Sequence, residues 1–139
     1  MHQRKFLVKA LLLDLDGTLV DSTEALKEAG RAGFAAVGLA NVNDDRIAFE
    51  VARRLEQGLQ IDDLFSRFHK GIEVEERFLP AYLDAYYSAV ISKSKLLPNI
   101  KESLQILSQH FQLALITLRY VVREQVLDEL RHLGIKKYF

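Results

Sequence analysis

The sequence predicts an α/β fold: a parallel sheet with an all-helical block inserted between its two strands. Three observations lead there. Two short runs, Phe6–Leu13 (apolar except for Lys9) and Leu113–Ile116, have the near-continuous hydrophobicity of strands buried on both faces. The segments around them carry apolar residues at helical spacing, so the strands are joined through helices and pair in parallel with a right-handed crossover. The stretch from about Ser22 to Ser92 is far longer than one crossover needs, which makes it an inserted domain. The division expected is a partial core of residues 1–21 and 94–139, with a helical domain of residues 22–93.

The elements follow in order. The first strand ends in Asp14-Leu15-Asp16-Gly17-Thr18, where Gly17 marks a turn. Asp21-Ser22-Thr23-Glu24 resembles a capping box and opens a helix over about Thr23–Val37, which Gly30 and Gly33 weaken. Asp44–Glu56 carries Ile47, Val51 and Leu55 on one helical face, and Gly58 ends it. Asp62–His69 reads as a short helix with Leu64, Phe65 and Phe68 on one side, ended by Gly71. Val74–Ser92 reads as a longer helix that aligns Phe78, Tyr82, Tyr86 and Val90; Pro80 within it predicts a later start or a kink. Lys93–Pro98 is a connector, and Asn99–Glu102 resembles a second capping box for a helix to about Gln109. Gln112–Thr117 is the second strand. Tyr120–Leu133 is the last helix, with Val122, Val126, Leu130 and Leu133 inward and Gly134 at its C-cap.

Composition excludes several classes. Hydrophobic residues at 49% and charged residues at 27% are too balanced for a disordered chain. The 19 basic and 19 acidic residues cancel, so there is no strong field to attract nucleic acid or an anionic membrane. Cysteine is absent, which removes disulfides, thiolate metal sites and a cysteine nucleophile and fits a cytoplasmic setting. His2, His69, His110 and His132 show no paired metal-ligand spacing, and no apolar run is long enough to span a membrane. The start faintly imitates a signal peptide, but Lys9 breaks the apolar run and Asp14 and Asp16 stand where a cleavage site would be needed.

The acidic pair is the informative feature. Two carboxylates one residue apart, at the C-terminal end of a buried strand, lie where open α/β sheets bind ligands. They are hard oxygen donors suited to magnesium. One could attack phosphorus; the other could protonate a leaving oxygen and then deprotonate water. The competing reading is a strand-terminal turn that happens to be acidic. A calcium loop is excluded, because glycine falls fourth rather than sixth and the twelfth position is Ala25.

With these residues in place, the chain resembles the haloacid dehalogenase-like hydrolase superfamily. Asp14-Leu15-Asp16-Gly17-Thr18 matches its first motif completely, and Leu19-Val20-Asp21-Ser22 looks like members with a helical cap inserted right after it, such as the phosphoglycolate phosphatase-like and β-phosphoglucomutase-like groups. Thr117, after Leu113-Ala114-Leu115-Ile116, matches the second motif. The resemblance implies a Rossmann-like core, a Mg2+ cofactor and a small phosphorylated metabolite as substrate. It implies Asp14 as nucleophile and metal ligand, and Asp16 as general acid/base with its carbonyl on the metal. Thr117 and the backbone amides near Leu15, Asp16 and Leu118 would bind the phosphoryl group. An acid at Asp16 favours phosphate chemistry over dehalogenation, because a halide leaving group needs no proton.

Leu118-Arg119-Tyr120 departs from the small or amide residues that follow the second motif in many relatives. Arg119 could contact an anionic substrate or be a solvated loop residue. Arg53 and Arg54 could recognise a second anionic group, or form a solvated helix face with Glu50 and Glu56. Tyr82, Tyr86, Tyr87, Phe65 and Phe68 could line a pocket or simply be the core of a helical bundle. An insert beside the strand end could close over the site.

The family's third and fourth motifs, a lysine and further metal-binding acids, lie beyond the second core strand, where this sequence has only residues 118–139. Lys136 and Lys137 precede the expected third strand and read as a solvated pair. The expectation is therefore a core whose sheet stops after its second strand, belonging to a longer protein or covered by self-association. The function expected is phosphatase action through an aspartyl-phosphate. The alternatives are a sugar phosphomutase and a non-catalytic fragment; a phospho-accepting receiver domain is disfavoured by the five-residue motif and the large insert.

Overall fold

The computed structural model describes residues 8–42, 44–66, 74–119 and 121–139. The chain divides into two compact units. One lies within Met1–Asp21, Lys95–Leu118 and Val122–Phe139; the other comprises Ser22–Ser94 and Arg119–Val121.

The first unit is built on β1 (Ala10–Asp14), which pairs in parallel with a later strand, Gln112–Ile116. Ala10 lies opposite Gln112 and Asp14 opposite Ile116. The strands are not buried on both faces, as their composition suggests. Leu11, Leu13, Leu113 and Leu115 are half-buried, whereas Leu12 is 71% and Ile116 54% exposed. Burial alternates at the period of the pleat, so one face is shielded and the other is open among the described residues.

A two-residue strand, β2 (Val20–Asp21), pairs antiparallel with β3 (Lys95–Leu96). The sequence reading places a plain connector at 93–98. Two residues are too few for periodicity to register, so this ribbon is found only in three dimensions. The strand paired with β1 is β4.

The helix before β4, which we number α4 with α1–α3 in the second unit, spans Ile100–Ser108. Its expected capping box does not form: Asn99 adopts a left-handed conformation (φ 62°) and its side chain caps nothing. Its carbonyl accepts from the Ser103 amide at 2.9 Å. The final helix, α5, spans Arg123–His132. Val126, Leu130 and Leu133 are buried as expected; Val122 is the N-cap and is 67% exposed rather than inward. Gly134 (φ 72°) ends the helix, and Ile135 seats the following turn with no exposure.

The second unit is helical. It contains α1 (Thr23–Ala36), α2 (Asp45–Glu56), a 3-10 turn at Asp62–Phe65, a π turn at Val74–Phe78 and α3 (Leu79–Lys93). The Asp44 carboxylate caps α2 by accepting from the Arg46 amide at 3.1 Å. The Ser22 side chain makes no capping hydrogen bond to α1, and Glu24 pairs with Lys27 at 2.9 Å instead of reaching back as a capping box requires. Pro80 stands in the first turn of α3, where its missing N–H disrupts nothing, so the later start is the outcome observed. His69, Phe68 and Gly71, placed by sequence on the short helix and its end, lie outside the described residues.

The core of this unit is aromatic. Phe78 packs edge-on to Phe34 and Phe65, with ring centroids 5.4 and 4.6 Å away, and stacks on Tyr82. The Tyr82 hydroxyl donates to the Ala48 carbonyl at 3.0 Å. Burial pushes that phenol well above its ordinary pKa. At Gly30 and Gly33 neighbouring segments approach closely. A Cβ on Gly30 would stand 2.5 Å from the Ala48 Cβ, and one on Gly33 would stand 2.6 Å from the Phe78 ring. Both cost helix propensity and permit contact.

Gly30→Ala is therefore expected to destabilise the chain by about 1 kcal/mol or more, overpacking outweighing the better helix former. Urea unfolding measures this, and an increase in stability would contradict the close approach.

Candidate active site

The candidate site lies at the C-terminal ends of β1 and β4. Parallel pairing in register sets Asp14 beside Ile116, about 4.8 Å apart along the hydrogen-bonding direction. Thr117, half-buried, is the next residue. The two sequence motifs, a hundred residues apart, are thus neighbours because two apolar runs pair without a slip.

Beyond Asp14 the chain turns back tightly. The Leu15 carbonyl accepts from the amides of Thr18 (3.4 Å), Leu19 (2.9 Å) and Val20 (3.0 Å), and the Gly17 amide donates to the Val20 carbonyl at 2.9 Å. Gly17 has φ 73°, a conformation that favours glycine. Leu15 anchors the loop: its side chain is fully buried beside buried Leu19 and Val20. Asp14 is exposed and Asp16 is half-buried, with a bridge to Val20. The Thr18 hydroxyl donates to the Asp14 carboxylate at 3.4 Å, a long contact. Thr18 had no assigned part beyond completing the motif; its place four residues from Asp14 across a glycine turn is the signal for this contact.

Leu118, whose amide was expected at the site, is 63% exposed in the same unit. Arg119 belongs to the helical unit, with its guanidinium 5.6 Å from the centre of the Tyr86 ring, a cation–π contact. Arg53 and Arg54 also lie in the helical unit, on α2. Arg53 donates through Nε to Glu50 at 2.8 Å, and Arg54 through Nε to Glu50 at 2.9 Å. Arg54 also pairs with Asp63. The two guanidiniums hold the Glu50 carboxyl down to about 2. Of the aromatic residues, Phe65, Tyr82 and Tyr86 are buried and Tyr87 is half-buried against the same core, so they pack.

Among the described residues there is no group of three or more His, Cys, Asp or Glu side chains placed to hold a metal. Asp14 and Asp16 remain as oxygen donors. No helix among the described residues is long and apolar enough to cross a membrane.

Residues 11–139 match the sequence profile of haloacid dehalogenase-like hydrolases. The chain belongs to that family. Phosphoglycolate phosphatases from Vibrio vulnificus and Vibrio parahaemolyticus are 31% and 30% identical to it across 95% of this chain. The match covers 59% of each of them, so the chain spans rather more than half the length of these curated relatives. Among solved structures, a haloacid dehalogenase-like family hydrolase from Streptococcus pneumoniae superposes with a TM-score of 0.73 at 24% identity, covering 95% of this chain and 59% of that one. A predicted phosphoglycolate phosphatase from Haemophilus somnus gives 0.62 at 24% identity, covering 95% and 60%. These likenesses carry the fold: a haloacid dehalogenase-like α/β core with a helical insertion.

The Glu50 ion pairs have a pH signature. The folded carboxyl titrates far below its ordinary value of 4.5, so its stabilisation is present above about pH 4.5 and is lost as pH falls through about 2. Side-chain NMR is expected to place the Glu50 midpoint near 2. Glu50→Gln is expected to flatten the acid limb of the stability profile between those values; an unchanged limb would contradict the pairing.

Proposed function

We propose that this chain carries the nucleophile and phosphate-binding half of a magnesium-dependent phosphatase acting on a small phosphate monoester. The observation that supports this most is the β1–β4 register, which pairs Asp14 with Ile116 and so puts the strand ends that lead to Asp14 and Thr117 side by side. The matched phosphoglycolate phosphatases favour phosphatase over phosphomutase chemistry. In the reaction proposed, an Asp14 oxygen bonds to phosphorus as the ester P–O bond breaks, and Asp16 gives its proton to the departing oxygen. Asp16 then takes a proton from water, which attacks the aspartyl-phosphate and returns Asp14 with release of phosphate. Thr117, with the amides of Leu15, Asp16 and Leu118, would hold the phosphoryl oxygens. The amides of Gly17, Thr18, Leu19 and Val20 are committed to the turn itself, which keeps that loop rigid beside the nucleophile.

The donor set fits magnesium, which keeps several waters and takes one or two carboxylates together with substrate phosphate. Asp14 and Asp16 would hold it, and when bound it supplies charge neutralisation for phosphoryl transfer. We place the activity in the cytoplasm, where phosphorylated metabolites are found. The open sheet face around Leu12 would be covered by self-association; size-exclusion chromatography of the chain is expected to show a species larger than its 15.9 kDa monomer. A well-folded monomer would remove that part of the proposal.

Magnesium-dependent release of phosphate from an aryl phosphate tests the activity. Asp14→Asn is expected to lower it by at least about a thousandfold, since no covalent intermediate can then form. Undiminished turnover in that variant would overturn the nucleophile assignment.

A further inference from the structure

Thr117, Leu118 and Arg119 follow β4 without regular secondary structure. In this stretch the chain passes from one compact unit to the other. Leu118 groups with β1 and β4, Arg119–Val121 group with the helices, and Val122 is back in the first unit. The Arg119 guanidinium lies 5.6 Å from the centre of the Tyr86 ring, within reach of a cation–π attraction. Tyr86 is a fixed platform for it. It stands on α3, is 7% exposed, belongs to the core of the helical unit and meets the Tyr87 ring at 5.4 Å. Arg119 itself is half-buried. An irregular segment that is ordered only when a ligand arrives pays that ordering out of the binding energy, whereas one already anchored does not.

We infer that Arg119 is a positioning residue: its hold on the Tyr86 ring orders the backbone directly after Thr117, the segment that receives the phosphoryl group. The inference rests on the phosphohydrolase reading above and adds a residue to it. Arg119 acts through the backbone it carries, and the anion is met by Thr117 and the Leu118 amide. This differs from the expectation that the Arg119 side chain touches an anionic substrate. The ring, not the anion, is its partner, and the Leu118 amide is what the contact holds in place.

Two readings on the same variants test this: hydrogen exchange of the Leu118 amide in the free chain, and affinity for inorganic phosphate with magnesium. Arg119→Gln removes the charge and keeps most of the length. Tyr86→Leu removes the ring, and Tyr86→Phe removes only its hydroxyl. Arg119→Gln and Tyr86→Leu are each expected to speed exchange and weaken phosphate binding by about fivefold, the scale of one cation–π contact. Tyr86→Phe should stay near wild type in both. The double variant Arg119→Gln/Tyr86→Leu should lose no more than either single one, because the same contact is removed only once. Arg119→Gln leaves the buried ring untouched, so it decides the matter if Tyr86→Leu fails to fold. Unchanged exchange or unchanged phosphate affinity in Arg119→Gln overturns the inference, as does a Tyr86→Phe variant as impaired as Tyr86→Leu. Additive losses in the double variant also overturn it, since Arg119 would then meet the anion independently of the ring. If the wild type binds no phosphate, the phosphohydrolase reading fails by itself, and faster exchange in Arg119→Gln still supports the anchor.

Discussion

The parallel pairing of β1 with β4 is the constraint on which the rest of the site depends. A slip of one residue would turn Asp14 to the other face of the sheet and break its pairing with Ile116, the residue before Thr117. The register is held by the leucines at positions 11, 13, 113 and 115, which share the shielded face. It is held again just past the strand, where fully buried Leu15 fixes the turn and its carbonyl gathers three amides. The chemistry of the motif and the packing of the strand are therefore one arrangement: the residue between the two aspartates is the anchor that aims them.

The helical unit follows a different logic. Its stability comes from close helix contacts at Gly30 and Gly33 and from rings packed around Phe78. Its charges are mostly paired within it: Lys27 with Glu24, Lys93 with Glu28, Arg53 and Arg54 with Glu50. Each such exposed pair is worth little in stability, and their larger effect is to commit cations that would otherwise be open to an anionic ligand.

The helices and the strand pair were legible because each repeats a signal over many residues. Ile47, Val51 and Leu55 mark α2 by their spacing, and the leucines of β1 and β4 mark strands. What was not legible rests on single residues or on tertiary context. Both capping boxes had the right letters, yet Glu24 found Lys27 nearer and Asn99 took a left-handed conformation. The β2–β3 ribbon is two residues long and has no period. Strand burial was overestimated because apolar composition does not say how many layers lie over a sheet; Leu12 is hydrophobic and largely exposed. In the candidate site, the strand-end positions of Asp14 and Thr117 were readable from the two apolar runs before them. The Tyr86 contact of Arg119 joins residues far apart in sequence and needed the fold.

The central claim is that the β1–β4 register makes Asp14 the group that receives phosphate. The most direct measurement is to mix the chain with magnesium and an aryl phosphate, quench in acid, and locate the phosphoryl group by peptide mass spectrometry. The account predicts an acid-stable, hydroxylamine-labile adduct on Asp14 and none on Asp16. An adduct on Asp16 or on any other residue, or phosphate release without a protein adduct at any time point, would contradict it.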